Sequence, residues 1–320
     1  MDGPMRPYMN YVPQFMKDEK GEIVSHSLLE AGIVEHVRKN GRKMYSIKIS
    51  APINGRYNTE TMRELSSIAE KYGGGSLRFT NANNIEFFAE RFDNAKKIKE
   101  EAEKIGLFSG GWGNHLWSIA SCAGYFHCAL AATDAPSVAK AVGNALFPYF
   151  NQEELPAKIG ISFSGCPSAC GGGFLTDISV VGIHTEVPIV TENAKSCDLL
   201  GTTMVCPVGC IQIESLPDNA KTIRIRNELC IGCGLCVGAC EGIIFEHPEK
   251  TDGHAIIVGG KASASDGGTR LGRVVVPYIP NEPPYYPTTV KYITKIVQTW
   301  KDHARKGERI STWIKRIGWD

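Results

Sequence analysis

The sequence predicts an α+β fold of about two domains, and three observations carry that reading. Between residues 43 and 105 the apolar pattern runs strand, helix, strand, strand, helix, the order of a split βαβ, ferredoxin-like layer. Six of the 11 cysteines fall between residues 200 and 245, which marks a compact inserted unit. The length, 320 residues, exceeds what one hydrophobic core usually organises.

Composition narrows the class further. The chain is 42% hydrophobic and 22% charged, which is ordinary for a globular protein and argues against disorder. Lys and Arg number 35 against 34 Asp and Glu, a net charge of +1 that gives no global attraction to nucleic acid or anionic membrane. No apolar run reaches the roughly 18 residues of a membrane span. The first 20 residues mix Pro, Tyr, Met and charge with no apolar stretch, so no secretory signal is expected. Eleven cysteines is an odd number, and they cluster late. That pattern points to metal sites in a reducing, cytoplasmic setting rather than to a disulfide scaffold.

Each element has its own signal. Residues 1–25 read as an irregular arm. Tyr45, Ile47 and Ile49 alternate, so 43–50 is expected to be a strand. Asn58 and Thr59 open a helix carrying Met62, Leu65 and Ile68, and Gly73 to Gly75 end it. Leu77 with Phe79, and Ile85 with Phe87, predict two short strands joined by a turn at Asn81 to Asn84. Ala95, Ile98, Ala102 and Ile105 mark an amphipathic helix. After a break at Gly110 to Gly113, a helix carries Val138, Val142 and Leu146, and a strand carries Ile159, Ile161 and Phe163. Pro188 to Glu192 read as a linker, apolar patterning resumes at Ile256, and a last helix is expected near 288–305. The expected domains are therefore an arm (1–25), a ferredoxin-like α+β domain (26–110), a second domain from 111–198 and 246–320, and an insert at 199–245.

The strongest chemical signal is Cys230-x2-Cys233-x2-Cys236-x3-Cys240. Three thiolates at this spacing wrap one 4Fe–4S cubane, with Gly232 and Gly234 letting the backbone turn around the inorganic sulfurs. In such runs the fourth cysteine serves another cluster, and the fourth ligand comes from a remote Cys-Pro. Here that is Cys206-Pro207. Structural zinc instead favours two separated C-x2-C pairs. A second constellation, Cys122-x5-Cys128 with Cys166-x3-Cys170, is weak pair by pair, because cysteine is a common buried hydrophobe. Together the two pairs suffice for a second cubane. Cys197, Cys210 and Cys240 remain spare, and Cys210 and Cys240 read as relics of a further cluster.

On these motifs the sequence resembles the siroheme-dependent sulfite and nitrite reductases. The insert narrows the resemblance to the dissimilatory sulfite reductases. Segments 77–88 (LRFTNANNIEFF), 126–135 (FHCALAATDA), 177–184 (DISVVGIH), 274–284 (VVVPYIPNEPP) and 308–320 (ERISTWIKRIGWD) are similar to their beta subunits. The resemblance implies a sulfite-reductase-type repeat carrying an inserted bacterial-type ferredoxin domain. It implies a siroheme and two 4Fe–4S clusters per chain, with Cys122, Cys128, Cys166 and Cys170 holding the siroheme-coupled cluster and Cys170 bridging to the siroheme iron. It implies six-electron reduction of sulfite. The other readings are a non-catalytic electron-transfer scaffold, and a siroheme reductase working on nitrite or in the sulfur-oxidising direction.

Departures from the family pattern shape the expected partnership. A sulfite site needs clustered Arg and Lys to hold charge and deliver protons. The family's Thr-Thr-Arg turn reads Thr80-Asn81-Ala82 here. The stretch before the first cysteine reads Ser118-Ile119-Ala120-Ser121, and a pair of lysines is reduced to Lys158 with Gly160. A homologous alpha subunit is therefore expected to supply the anion clamp in an α2β2 assembly. A small sulfur-carrier protein and an electron donor are further expected partners, with no nucleic acid and no membrane span. Arg78, Asn83 and Asn84 are candidates for tetrapyrrole carboxylates, against a plain solvated turn. Lys261, after Gly259-Gly260, is a candidate for the same task, against a β-turn. His127 reads either as a core histidine or as a residue near the heme. Trp112 and Trp117 suit a cofactor pocket or an interface.

Overall fold

The strand expected at 43–50 is β3 (Lys43–Ser50) of the computed structural model, which describes residues 7–17, 22–81, 84–246, 252–264 and 267–319. Strand β3 is central in an antiparallel sheet with β1 (Ile23–Glu30), β2 (Ile33–Arg38), β4 (Leu77–Phe79) and β5 (Asn84–Ala89), in the order β1-β2-β3-β5-β4. The arm thus ends three residues sooner than expected. Its last part holds a short helix, α1 (Gln14–Lys17), and β1 then begins at Ile23. The β1–β2 hairpin escapes a periodicity reading because β1 is an edge strand, exposed along nearly its whole length, with no inward face to impose alternation. Gly32 turns the hairpin at φ +82°, a conformation that disfavours any side chain.

Helices α2 (Thr59–Tyr72) and α3 (Phe92–Lys104) cover one face of this sheet. The Asn58 side chain accepts the Thr61 N–H at 2.8 Å and caps α2, and the amide of Gly73 closes on Ala69. Leu65, Ile68, Ile98 and Ala102 pack on Ile47, Ile49, Ile85 and Phe87 as one core.

The chain separates into two compact units. The first contains the sheet just described, residues 1–119, with 146–160 and 301–309. It therefore reaches past the expected boundary at 110. Backbone hydrogen bonds explain why: Gly110 N–H to Lys48 O, Gly111 N–H to Phe150 O, and Gly307 N–H to Pro156 O stitch these later segments to it. Helix α5 (Pro148–Asn151) belongs here.

The second unit contains residues 120–145, 161–300 and 310–320. A second sheet runs β14 (Arg273–Pro280), β13 (Gly253–Val258), β8 (Ile178–Ile183), β7 (Ile159–Ser164) and β6 (Leu116–Ser121), and all of it but residues 116–119 and 159–160 falls within this unit. Strands β7 and β8 are parallel, whereas β13 is antiparallel to both β8 and β14. Strands β7 and β13 are buried at every position, and β8 at all but its last, matching their near-continuous apolar runs. Helix α4 (Ala135–Ala145) contacts β8, and the helix Pro287–His303 buries Ile293, Val297 and Trp300.

The insert has a core of its own, built from Ala194, Ile211, Ile223, Ile225 and Ile243. Strands β10 (Ile211–Ser215) and β11 (Lys221–Ile225) form a hairpin between α6 (Leu199–Met204) and α7 (Leu235–Ala239). The stretch read as a linker is instead β9 (Ile189–Val190), paired with β12 (Ile243–Ile244). Two residues are too short to carry a periodic signal, and only the partner strand reveals them.

Candidate functional site

The insert folds so that five thiols line one cavity: Cys206, Cys210, Cys230, Cys233 and Cys236. Asp198 caps α6 by accepting the Gly201 N–H at 3.0 Å, and the chain leaves that helix at Cys206. Cys210 stands immediately before β10, and Cys236 sits in α7. Gly232 and Gly234 adopt φ of +62° and +76°, so the expected glycine turns around Cys233 are present. Backbone amides point at the sulfurs. The Cys210 N–H donates to Cys206 Sγ at 3.3 Å, and the Gly232 N–H to Cys230 Sγ at 3.5 Å.

The thiols resist ionisation by themselves. Burial pushes Cys236 up to about 11, and negative charge on Cys230 and Cys233 adds to it. Burial, with Cys206 and Cys230 alongside, pushes Cys210 up to about 12. Burial also opposes the Cys206 thiolate, but the amides of Cys210, Val208 and Gly209 outweigh it and hold that thiol below the usual range. Such a ring of sulfur donors fits a cationic cluster, which would reverse these penalties by binding the thiolates. Among the described residues, no three His, Cys, Asp or Glu side chains close on a single ion.

The fourth cysteine of the run, Cys240, is disulfide-bonded to Cys197, with their Cα atoms 5.5 Å apart. The two have no relation in the sequence pattern, and they lie 43 residues apart. The pairing departs from the expectation of unpaired spare thiols.

The second thiol set is assembled from two loops of the second unit. The Cys122 N–H donates to Phe163 O at 3.0 Å, and the Gly165 N–H donates to Cys122 Sγ at 3.1 Å. Close packing fixes Gly165. A Cβ on Gly182 of β8 would lie 2.1 Å from the Gly165 carbonyl oxygen. Thr133 backs the same carbonyl and hydrogen-bonds Asn281 through its hydroxyl at 2.6 Å. Cys166 is buried, and its thiol is pushed up first by burial, with Cys128 and Cys170 adding to it. Cys170, in contrast, is exposed. Cys122 is tied to the other pair through the amide of Gly165, the residue before Cys166. His127 is exposed, which removes the core-histidine reading.

One histidine given no role by the sequence sits beside the insert's glycine loop. His184 Nδ1 is 2.6 Å from Asp252 Oδ2, its Nε2 is 3.0 Å from Leu130 O, and its ring stacks on Phe245 at 3.8 Å. Gly232 and Gly234 both approach it closely enough that an added Cβ would touch it.

The first unit carries a charged cleft of about 410 Å³ lined by Lys48, Arg78, Glu86, Trp112 and Trp117, among others. Lys48 is 3% exposed. Its Nζ donates to Gly111 O at 2.9 Å and to Trp117 O at 3.4 Å, and lies 5.0 and 4.9 Å from the rings of Trp112 and Trp117. Burial pulls its ammonium down to about 7, Glu86 opposes the shift and Lys158 adds to it. Burial likewise raises the Glu86 carboxyl against the pull of Arg78, with which it forms an ion pair. The exposed Lys158 stands over Trp117 at 4.9 Å. Asn84 is buried rather than part of a solvated turn, and its side chain donates to Trp117 O at 3.1 Å. Asn83 and Ala82 lie outside the described residues. Lys261, in the second unit, is fully buried and bridges through its backbone to Arg270. A Cβ on Gly260 would collide with this chain's own Phe174 and Thr176 carbonyls.

Residues 112–320 match the family model for the nitrite and sulphite reductase 4Fe-4S domain, and residues 36–105 that for the nitrite/sulfite reductase ferredoxin-like half domain. Over 307 residues the chain is 39% identical to the dissimilatory-type sulfite reductase beta subunit of Archaeoglobus fulgidus, covering 92% of this chain and 81% of that one. This chain belongs to the dissimilatory sulfite reductase beta-subunit family. A second beta subunit of this family, from Nitratidesulfovibrio vulgaris, is 34% identical over 331 residues, 99% of this chain and 86% of its own. An alpha subunit, from Allochromatium vinosum, is 25% identical over 297 residues, 89% of this chain and 70% of its own, so the sulfite reductase alpha and beta subunits share this architecture. The crystal structure of dissimilatory sulfite reductase I has the same fold, at TM-score 0.81 and 18% identity, covering 93% of this chain and 74% of that one.

Sequence reasoning missed Lys48, His184, Asp252 and the Cys197–Cys240 pair. Lys48 had a usable signal, a lone cation on the opposite face of a strand whose apolar residues alternate. Both faces of β3 turn out to be covered.

Proposed function

We propose that this chain works as the beta subunit of a dissimilatory-type sulfite reductase, taking part in the six-electron reduction of sulfite. It belongs to an oxidoreductase family whose members use siroheme and iron–sulfur cofactors. The observation that carries the reading is 39% identity to a beta subunit over 92% of this chain, and the exposed Cys170 with Cys128 near the buried Cys166 supports it.

On this reading Cys122, Cys128, Cys166 and Cys170 hold one 4Fe–4S cluster, and Cys206, Cys230, Cys233 and Cys236 hold a second. Cys170 is the thiolate shared with siroheme. When bound, these groups supply one-electron carriers and a heme iron for sulfite. The chain itself orients them and excludes water. Amides of Gly165, Cys210 and Gly232 turned toward sulfur stabilise thiolate charge. Arg78 and Lys261, with Asn83, Asn84 and His127, are the candidates for tetrapyrrole contact, and Lys158 is the candidate catalytic residue that holds sulfite charge and delivers protons. Arg78 and Asn84 already have partners within the chain, Glu86 and the Trp117 carbonyl. Their task is therefore to shape the cleft as much as to bind.

The anion clamp is thin in this chain, because Ala82 replaces the family arginine. A homologous alpha subunit therefore completes the sulfite site within an α2β2 assembly, and a sulfur-carrier protein and an electron donor act with it. Among the described residues no helix is long and apolar enough to cross a membrane. A cytoplasmic setting is part of this reading, since thiols kept for metal binding suit a reducing compartment.

Native mass spectrometry of anaerobically purified protein from its own host tests this. A heterotetramer with a homologous alpha chain, carrying siroheme-size masses and two cubane-size masses per chain, is the expected result. A lone chain with one cubane and no tetrapyrrole would overturn the reading in favour of an electron-transfer scaffold.

A further inference from the structure

The insert's cavity presents five thiols, one more than a cubane needs. The surplus thiol is Cys210. Its Sγ lies 3.4 Å from Cys206 Sγ, and its backbone N–H also points at that sulfur. The two cysteines differ in how they are held. Cys210 is 3% exposed, and its carbonyl accepts the Arg226 N–H at 2.9 Å, which ties it to the β10–β11 hairpin. Cys206 is half-buried, in the turn that leaves α6. The buried thiol thus stands behind the half-buried one and faces the same cavity.

We propose that Cys210 is a reserve ligand, able to replace Cys206 at the same iron of the insert's cluster. This rests on the assignment of that cluster to Cys206, Cys230, Cys233 and Cys236. In the exchange the bond from iron to Cys206 sulfur breaks and one from iron to Cys210 sulfur forms. The proton of the Cys210 thiol ends on the Cys206 sulfur, and no electron moves. The hydrogen-bond distance between the two sulfurs lets the proton cross without help from solvent.

The test uses the anaerobically purified hetero-oligomer, with iron and sulfide content and the EPR spectrum of the reduced protein as readouts. Four variants are compared with the native protein: Cys206→Ala, Cys210→Ala, the double variant and Cys233→Ala. Cys206→Ala is expected to retain the insert's cluster with an altered EPR signal, and the double variant to lose it. Retention by Cys210→Ala is also expected. Loss from Cys206→Ala as complete as from Cys233→Ala would overturn the reserve role and leave the cluster assignment standing. Loss from Cys210→Ala alone would also overturn it, because Cys210 would then be the resident ligand. If Cys233→Ala loses nothing, the cluster assignment itself falls. Should Cys206→Ala fail to accumulate, Cys210→Ala still decides. Its cluster should lose iron to a chelator under mild oxidation several-fold faster than the native one, and equal rates would overturn the proposal.

Discussion

The two thiol sites of the second unit are built in opposite ways. In the insert, Cys230, Cys233 and Cys236 lie within one short stretch, and two left-handed glycines bend that stretch around a cavity. The other site draws Cys122 and Cys128 from one loop and Cys166 and Cys170 from another, and closes through Gly165 N–H to Cys122 Sγ at 3.1 Å. The first site depends on local backbone conformation. The second depends on packing among β7, β8 and Thr133, because a glycine carbonyl, a second glycine and a threonine must meet without a spare Cβ. A local site survives modest strain elsewhere, whereas a packed site transmits it.

Gly182→Ala should break this contrast most severely. Its Cβ would sit 2.1 Å from Gly165 O, an overlap that costs about 3 kcal/mol or more. The expected result is loss of the Cys166-side cluster, read by EPR and iron content, with the insert's signal intact. Retention of both signals would show that the packing argument is wrong.

Acid should discriminate between the sites next. His254 is buried, 3.4 Å from the Thr133 hydroxyl and 2.6 Å from that of Thr289. Burial holds it at about 4 against an ordinary 6.5, so between those values the unfolded chain binds the extra proton. Stability is therefore complete above the ordinary value and falls as pH drops toward the folded one, by up to about 3 kcal/mol. At about pH 5 the wild type should release iron from the Cys166-side cluster faster than His254→Gln does. Identical pH profiles for the two proteins would exclude His254 as the cause.

Asp252→Ala should act on both sites at once. It strips His184 of a buried partner at 2.6 Å, at a cost of about 1–3 kcal/mol. His184 touches Gly232 and Gly234 on one side and Leu130 O on the other. Both EPR signals should therefore broaden or shift with a lowered thermal midpoint, and an unchanged insert signal would remove His184 as the shared support. Gly234→Ala is the mildest change. Forcing a side chain to φ +76° costs about 1 kcal/mol, and the new Cβ makes ordinary contacts with the rings of His184 at 3.4 Å and Phe245 at 3.5 Å. A small drop in thermal midpoint with full iron is expected, and a lost cluster would mean that the local site is as brittle as the packed one.

The sequence by itself determined whatever depends on near neighbours in the chain. The Asn58 cap, the alternation of Tyr45, Ile47 and Ile49, the helix over 92–104 and the cysteine run all follow from turn chemistry and periodicity, which act over a few residues. Family membership was legible too, through motifs dispersed in one order. Only the tertiary structure decided the rest. The edge strand β1 and the two-residue β9 exist because partners pair with them. Cys240 pairs with Cys197, and Cys210 turns toward Cys206. Lys48 is buried because tryptophans from a later segment cover a strand face that alternation marks as outward. The physical reason is common to all of these. Burial and long-range pairing depend on what arrives from elsewhere in the chain, and no window of local sequence contains that information.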